Sequence, residues 1–212
     1  MKIYGVPLSP FSRKVLIALK LKNLDYELVP TMPGTQTPEF LTISPLGKVP
    51  ALVDGDLTIS DSSVICQYLE EKAPQYPLLP ETIGDRAKCR WLEEYADSVV
   101  AASCSRLFWE VAVKPMLKNE QPDRELVSVI KEQRFPEMAS YLETQVPESG
   151  FLFGQFGLAD ISIATHFINA SYVDQEVDAD KWPKLAAYLE HCWSHQVIKE
   201  MMEADKAYLR NL

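Results

Sequence analysis

The sequence predicts a small α/β domain followed by an all-helical domain. Three observations carry that prediction. Residues up to Lys72 order as β-α-β-α-β-β-α, with short β-like runs alternating with helical ones. The segment Ala73–Pro80 (APQYPLLP) then places three prolines in eight residues, a natural linker. Beyond it the apolar spacing is helical throughout, with no strand pattern and no internal repeat.

Each element follows from local chemistry. Lys2–Val6 is a short strand. Pro10–Lys22 is a helix, because Phe11, Val15, Ala18 and Leu19 fall on one stripe. Ser9 before Pro10 reads as an N-cap followed by proline at the first helical position. Tyr26–Val29 is a second strand, Thr31–Thr37 a Pro/Gly-marked loop, and Pro38–Ile43 a short helix. Pro50–Val53 and Leu57–Ile59 flank Asp54-Gly55, a strong hairpin signal. Ser62–Lys72 closes the domain as a third helix. The first crossover implies a parallel strand pair and the hairpin an antiparallel edge. Further helices are expected at Ile83–Val113, Arg124–Thr144 (bent at Pro136), Leu158–Ala170, Trp182–Cys192 and His195–Tyr208. The domains are therefore expected at residues 1–76 and 85–212.

Composition narrows the function. Of 212 residues, 47% are hydrophobic and 24% charged, enough apolar material for a sizeable core. Lys and Arg total 21 against 30 Asp and Glu, a net charge of −9, which argues against a nucleic-acid partner. No stretch approaches the roughly 20 apolar residues of a membrane span. The start, MKIYGVPLSP, does not read as a signal peptide. Cys66, Cys89, Cys104 and Cys192 form no CxxC pair and read as buried thiols of a reducing compartment, so a cytoplasmic location is expected.

Three junctions carry candidate chemistry. Ser9 lies where a strand gives way to a helix N-terminus, whose amides and partial positive charge favour an anion. Its hydroxyl can donate to a thiolate, though taken alone it reads most simply as a cap. Val49-Pro50 opens the third strand, where proline is unremarkable. Ser60-Asp61-Ser62-Ser63 precedes the third helix and caps it; the same group offers an acid for an ammonium and hydroxyl and amide donors for a carboxylate, as an α-amino-acid head group needs. Such junctions are where an α/β sheet presents its ligand crevice. Elsewhere, His191 and His195 are spaced i, i+4 but lack a third ligand and read as a solvated face, so no metal is expected. His166 reads as a hydrogen-bonded core residue, and Phe108 and Trp109 as core. Asp160 reads as the third-position acid of a helix start capped by Gly157. No Ser/His/Asp arrangement, P-loop or dinucleotide glycine motif is legible.

Four segments occur in a familiar order: SPFSRKVLIALKLKNLDYELV (Ser9–Val29), SPLGKVPAL (Ser44–Leu52), ISDSSVICQYL (Ile59–Leu69) and FGLADISIA (Phe156–Ala164). Together they resemble a cytosolic glutathione transferase of serine type, with a tau/theta-like N-terminal motif and of bacterial type. The resemblance implies a thioredoxin-like α/β domain followed by an all-α domain. It implies that Ser9 assists the glutathione thiol and that Val49-Pro50 is a cis step whose Val49 backbone pairs with the cysteine of the tripeptide. By the same resemblance Asp61 and Ser62 hold the γ-glutamyl group, while Lys48 and Gln36 lie near the glycine carboxylate. Phe11, Phe108 and Trp109 are expected to wall an apolar electrophile pocket between the domains. Two departures stand out: Asp61 is one methylene shorter than the usual Glu or Gln, and Gly157 replaces a Ser/Thr cap.

The implied mechanism is thiolate activation. A free cysteine-type thiol has a pKa of about 8.5, so little is ionised at neutral pH. A hydrogen bond from Ser9 and the helix N-terminus would favour the anion. SPFS (Ser9–Ser12) has oxygen at both positions where thiol-transferase relatives carry sulfur, so mixed-disulfide chemistry is not expected. A zeta-like glutathione-dependent isomerase and a non-catalytic interaction module of the same fold are the alternatives. By resemblance the chain is expected to be a homodimer, with glutathione as co-substrate and a small electrophile as partner.

Overall fold

The computed structural model describes residues 1–210, with side chains through residue 206. These residues divide into two compact units, Met1–Pro80 together with the chain from Gln196, and Glu81–His195.

The first unit is built on a four-stranded sheet in the order β2-β1-β3-β4, from β1 (Lys2–Gly5), β2 (Glu27–Pro30), β3 (Ala51–Asp54) and β4 (Leu57–Ile59). β1 pairs parallel with β2 and antiparallel with β3, and β3 pairs antiparallel with β4. The helical crossover α1 (Pro10–Leu21) explains the parallel pair. Asp54 pairs with Leu57, so the hairpin turn is Gly55-Asp56, with Gly55 in the left-handed region at φ 61. The turn thus lies one residue later than the Asp54-Gly55 signal, because Asp54 is held in the strand by Tyr68 and Lys72. α2 (Pro38–Ile43) and α3 (Ser62–Lys72) complete the thioredoxin-like domain, as expected.

α1 departs from the sequence expectation of one apolar stripe. It is buried on all sides from Ser12 to Leu19, including Arg13 and Lys14. Fully buried cations survive when paired. Arg13 meets Asp205 at 2.5 Å, Lys14 donates to Ser63 Oγ at 3.1 Å, and Lys22, just past the helix, meets Glu70 at 2.6 Å. Asp205 lies on α8 (Gln196–Arg210), which packs against α1. The last helix therefore belongs with the first unit, although the sequence reading placed all of residues 85–212 in the helical domain. Its partner is a charge near the start of the chain, which periodicity cannot reveal.

The proline-rich segment is fastened rather than loose. Glu70 accepts from the amides of Leu78 and Leu79, and Lys22 donates to the carbonyls of Ala73 and Tyr76.

The second unit is helical: α4 (residues 83–118), α5 (residues 124–145), α6 (Leu158–Ser171) and α7 (Pro183–Ser194). α4 outruns the expected end at Val113. It turns π-helical at Ala96–Ser105 and again at Trp109–Val113. α5 turns π-helical at Ile130–Arg134. The last two stretches each end two residues before a proline, Pro115 and Pro136, so a widened turn absorbs the missing amide donor and the helix continues. α6 is buried from Leu158 to Ala170 and forms the centre of this unit, packed on α4 and α7. Phe135, Met138, Leu142, Ile163, Phe167 and Leu189 fill the core around it.

Candidate functional site

Ser9 stands at the junction of β1 and α1. Its backbone is extended (φ −74, ψ 120), its carbonyl accepts the first helical bond from Arg13, and its Oγ accepts from the Ser12 amide at 3.4 Å. The cap role is thus real, and it uses Ser9 only as an acceptor. No described residue takes the Ser9 hydroxyl hydrogen, which leaves it able to donate outward. The first turn of α1 contains no acidic side chain, so the positive end of the helix is not offset by an acid of its own. Ser12 is different. Its side chain is fully buried with Oγ unpartnered, directed at Gly5, where an added Cβ would meet it at 2.5 Å. That burial removes Ser12 as a stand-in for Ser9.

Asp61 caps α3 in the same manner. Its Oδ1 accepts from the amides of Ser63 and Val64, both at 3.0 Å. Asp61 is exposed, and its second oxygen takes no donor from a described residue, so one oxygen holds the helix while the other faces solvent. Ser62 is buried at the head of α3. Ser63 also receives Lys14 from α1, which ties the two helix starts together.

The loop before β3 supplies the remaining candidates. The Val49–Pro50 bond is cis. Registered pairing with β1 begins at Ala51, so the Val49 backbone stands outside the ladder. Ser44 Oγ accepts from the Lys48 amide and donates to its carbonyl, which holds the loop closed. Gly47 sits at φ 63, and a Cβ there would meet the Gln36 side-chain nitrogen at 2.5 Å. The Gln36 side chain therefore lies against Gly47, which precedes Lys48 in the chain, and both Gln36 and Lys48 are exposed.

The expected pocket residues divide between the units. Phe11 is half-buried in the first turn of α1. In the helical unit Phe108 is buried, edge-on to Tyr172 with ring centroids 6.2 Å apart, which is core packing. Trp109 is half-buried beneath the Lys118 ammonium at 5.6 Å.

The histidines find specific surroundings. His191 and His195 rest on Phe151 and Phe156 rather than on a purely solvated face, with Phe156 stacked on His195 at 4.2 Å. Burial, and then the neighbouring His191, push the His195 pKa down. His166 is buried as expected. Its Nδ1 lies 2.7 Å from Ser105 Oγ and its Nε2 3.4 Å from Asp97, so a Ser/His/Asp grouping exists that the sequence did not show. Its members come from distant stretches of chain, and only the packing of α6 on α4 joins them. Among the described residues no three His, Cys, Asp or Glu side chains group as metal ligands. All four cysteines are buried, and burial pushes the Cys89 thiol up to about 12.

Asp160 is a buried acid with three donors. It accepts from the amides of Leu152 and Gly157, both at 3.0 Å, and from Tyr188 Oη at 2.8 Å. With glycine as the cap residue, only this returning half of a capping box exists. Burial raises the Asp160 pKa above its ordinary 3.8 despite those donors. The folded chain therefore keeps the Asp160 proton in a window above pH 3.8 where the unfolded chain has lost it. Across that window this group makes stability fall as pH rises. Asp160→Asn has no such titration and turns an NH2 toward a donor. It is expected to cost about 1–3 kcal/mol, with the gap to wild type narrowing as pH rises through the window, read from urea melts. A pH-independent gap would refute the assignment.

Comparison with known proteins now decides the family. The N-terminal domain model of glutathione S-transferases matches residues 3–77, and the C-terminal domain model residues 90–191. A glutathione S-transferase of Dianthus caryophyllus is 35% identical over 202 residues, covering 90% of this chain and 88% of that one. This chain belongs to the glutathione S-transferase family. A zeta-class glutathione S-transferase of Euphorbia esula is 48% identical over 110 residues, a match spanning 50% of this chain and 47% of that relative. Among solved structures, a glutathione S-transferase from Rhodospirillum rubrum superposes with a TM-score of 0.84 at 28% identity, covering 94% of this transferase and 90% of that chain. The two domain matches account for the two-part fold. No helix of the transferase, among its described residues, is long and apolar enough to cross a membrane.

Proposed function

We propose that this glutathione transferase ionises the tripeptide thiol at Ser9 and delivers the thiolate to small apolar electrophiles. One observation carries the reading. Ser9 caps α1 as an acceptor and keeps its hydroxyl hydrogen uncommitted, at a helix end with no acid in its first turn. In this reading residues 1–76 hold glutathione and the helical unit, without the last helix, contributes surface for the electrophile. The free oxygen of Asp61 takes the γ-glutamyl ammonium, and Ser62 with the head of α3 takes the carboxylate beside it. The Val49 backbone pairs with the cysteine residue, and Lys48 and Gln36 take the glycine carboxylate. Of the expected pocket residues, Trp109 offers the accessible ring, whereas Phe108 is spent on core packing. The serine-first SPFS motif supports a tau/theta-like assignment. We place the protein in the cytosol, in a detoxifying role and as a homodimer, as family membership suggests. Exposed Leu46, Ile83 and Trp91 offer apolar area for a second copy. Light scattering that returns a monomer mass would rule the dimer out.

The zeta-class relative favours a second reading, a glutathione-dependent isomerase. In that chemistry glutathione adds and leaves again, so it is not consumed. A turnover screen over aryl halides, epoxides, enals and hydroperoxides, with glutathione assayed before and after, separates the two. Loss of glutathione matched to product supports the transferase; product with glutathione recovered supports the isomerase. Absence of both turnover and retention on immobilised glutathione sinks both.

A further inference from the structure

We propose that Ser105, His166 and Asp97 form a second, glutathione-independent acyl-transfer site within the helical unit, one that takes aryl esters. Ser105 and Asp97 both lie on the π-helical run Ala96–Ser105 of α4, separated by about two turns, so they share the side facing α6. No proline explains this π-helical run, unlike the other two, and such distortions concentrate at working sites. His166 projects from buried α6 between them, 2.7 Å from Ser105 Oγ and 3.4 Å from Asp97 Oδ1. The imidazole is 1% exposed, so its orientation is held by packing. Ser105 is only half-buried, which leaves the nucleophile as the member nearest solvent.

The two partners fix the direction of proton flow. A carboxylate only accepts, so in the neutral ring Nε2 carries the hydrogen toward Asp97. Nδ1 is then a bare lone pair receiving the Ser105 hydroxyl. This is the wiring of a nucleophile, a base and an orienting acid. In the forward step Ser105 Oγ bonds to the acyl carbon, the acyl–oxygen bond to the aryl group breaks, and the phenoxide leaves. The Ser105 proton moves to His166 Nδ1, and Asp97 stabilises the imidazolium through Nε2–H. The proton then passes to the phenoxide. Water attacks the acyl-serine, gives its proton to Nδ1, and restores the hydroxyl as the acid departs. The net reaction is ester plus water to acid plus phenol. Ser105 sits inside a helix whose amides are committed to carbonyls, so no oxyanion donors flank it. That absence restricts the site to acyl groups on good leaving groups and excludes amides.

The test uses the whole protein without glutathione, with para-nitrophenyl acetate as probe. Rapid mixing should give a phenoxide burst, and peptide mass analysis should place the acetyl group on Ser105. Ser105→Ala has no oxygen to acylate and should lose the burst, whereas Ser105→Cys should retain it as an acetyl-thioester. Should Ser105→Ala fail to fold, the location of the acetyl group in wild type still decides. An acetyl group found only on lysine, histidine or another serine overturns the proposal, as does an unchanged burst in a folded Ser105→Ala protein.

Discussion

Ser9→Asp should cripple thiolate formation while leaving the fold as stable as wild type. Aspartate caps helices as well as serine does, so its carboxylate can still accept the Ser12 amide. It cannot donate at neutral pH, and its charge repels a neighbouring thiolate. Ser9→Ala loses both roles: it should cost about 1 kcal/mol of stability as a cap and also raise the thiol pKa. A hydrogen bond to a charged partner contributes roughly 1.5–3 kcal/mol, so turnover at neutral pH should fall about 10- to 100-fold in Ser9→Ala and further in Ser9→Asp. Thiolate absorbance of bound glutathione, titrated alongside a denaturation curve, separates the two roles. Should Ser9→Asp bind glutathione with an unaltered thiol pKa, the serine is a cap and nothing more.

The second large effect concerns stability. Glu70→Ala strips the carboxylate from the buried Lys22 ammonium and orphans the amides of Leu78 and Leu79 together. Breaking a buried pair from one side costs about 3–5 kcal/mol, which for a chain of this size lowers the melting midpoint by roughly 10 °C. Glu200→Ala is the control, since it removes the exposed partner of Lys20 and should leave the midpoint where it was. Equal midpoints for the two variants would mean that the Lys22–Glu70 network is not what holds the linker.

The contrast between these pairs explains what the sequence could and could not disclose. Caps are local, so Ser9, Asp61 and Asp160 were legible three residues from the groups they bind. Strand order followed from one crossover and one hairpin, with errors of a residue where a side chain such as Asp54 is held in the ladder. Arg13, Lys14 and Lys22, by contrast, look like a wet helix face in any periodic reading. They are interior because Asp205, Ser63 and Glu70 meet them, partners lying 192, 49 and 48 positions along the chain. The seating of Gln36 against Gly47 and the meeting of Ser105 with His166 are likewise products of packing, which no spacing rule contains. The subclass was not legible either, since only the short SPFS motif at one helix start bears on it.

The Arg13–Asp205 pair has a bearing on synthesis. A ribosome makes α1, with its buried guanidinium, well before the helix that neutralises it, since Asp205 lies 192 positions further along. Until then a charged side chain destined for the interior has no counter-ion. The first unit can close around that charge only after the segment from Gln196 has been made, while the intervening helical unit, contiguous in the chain, is free to fold first.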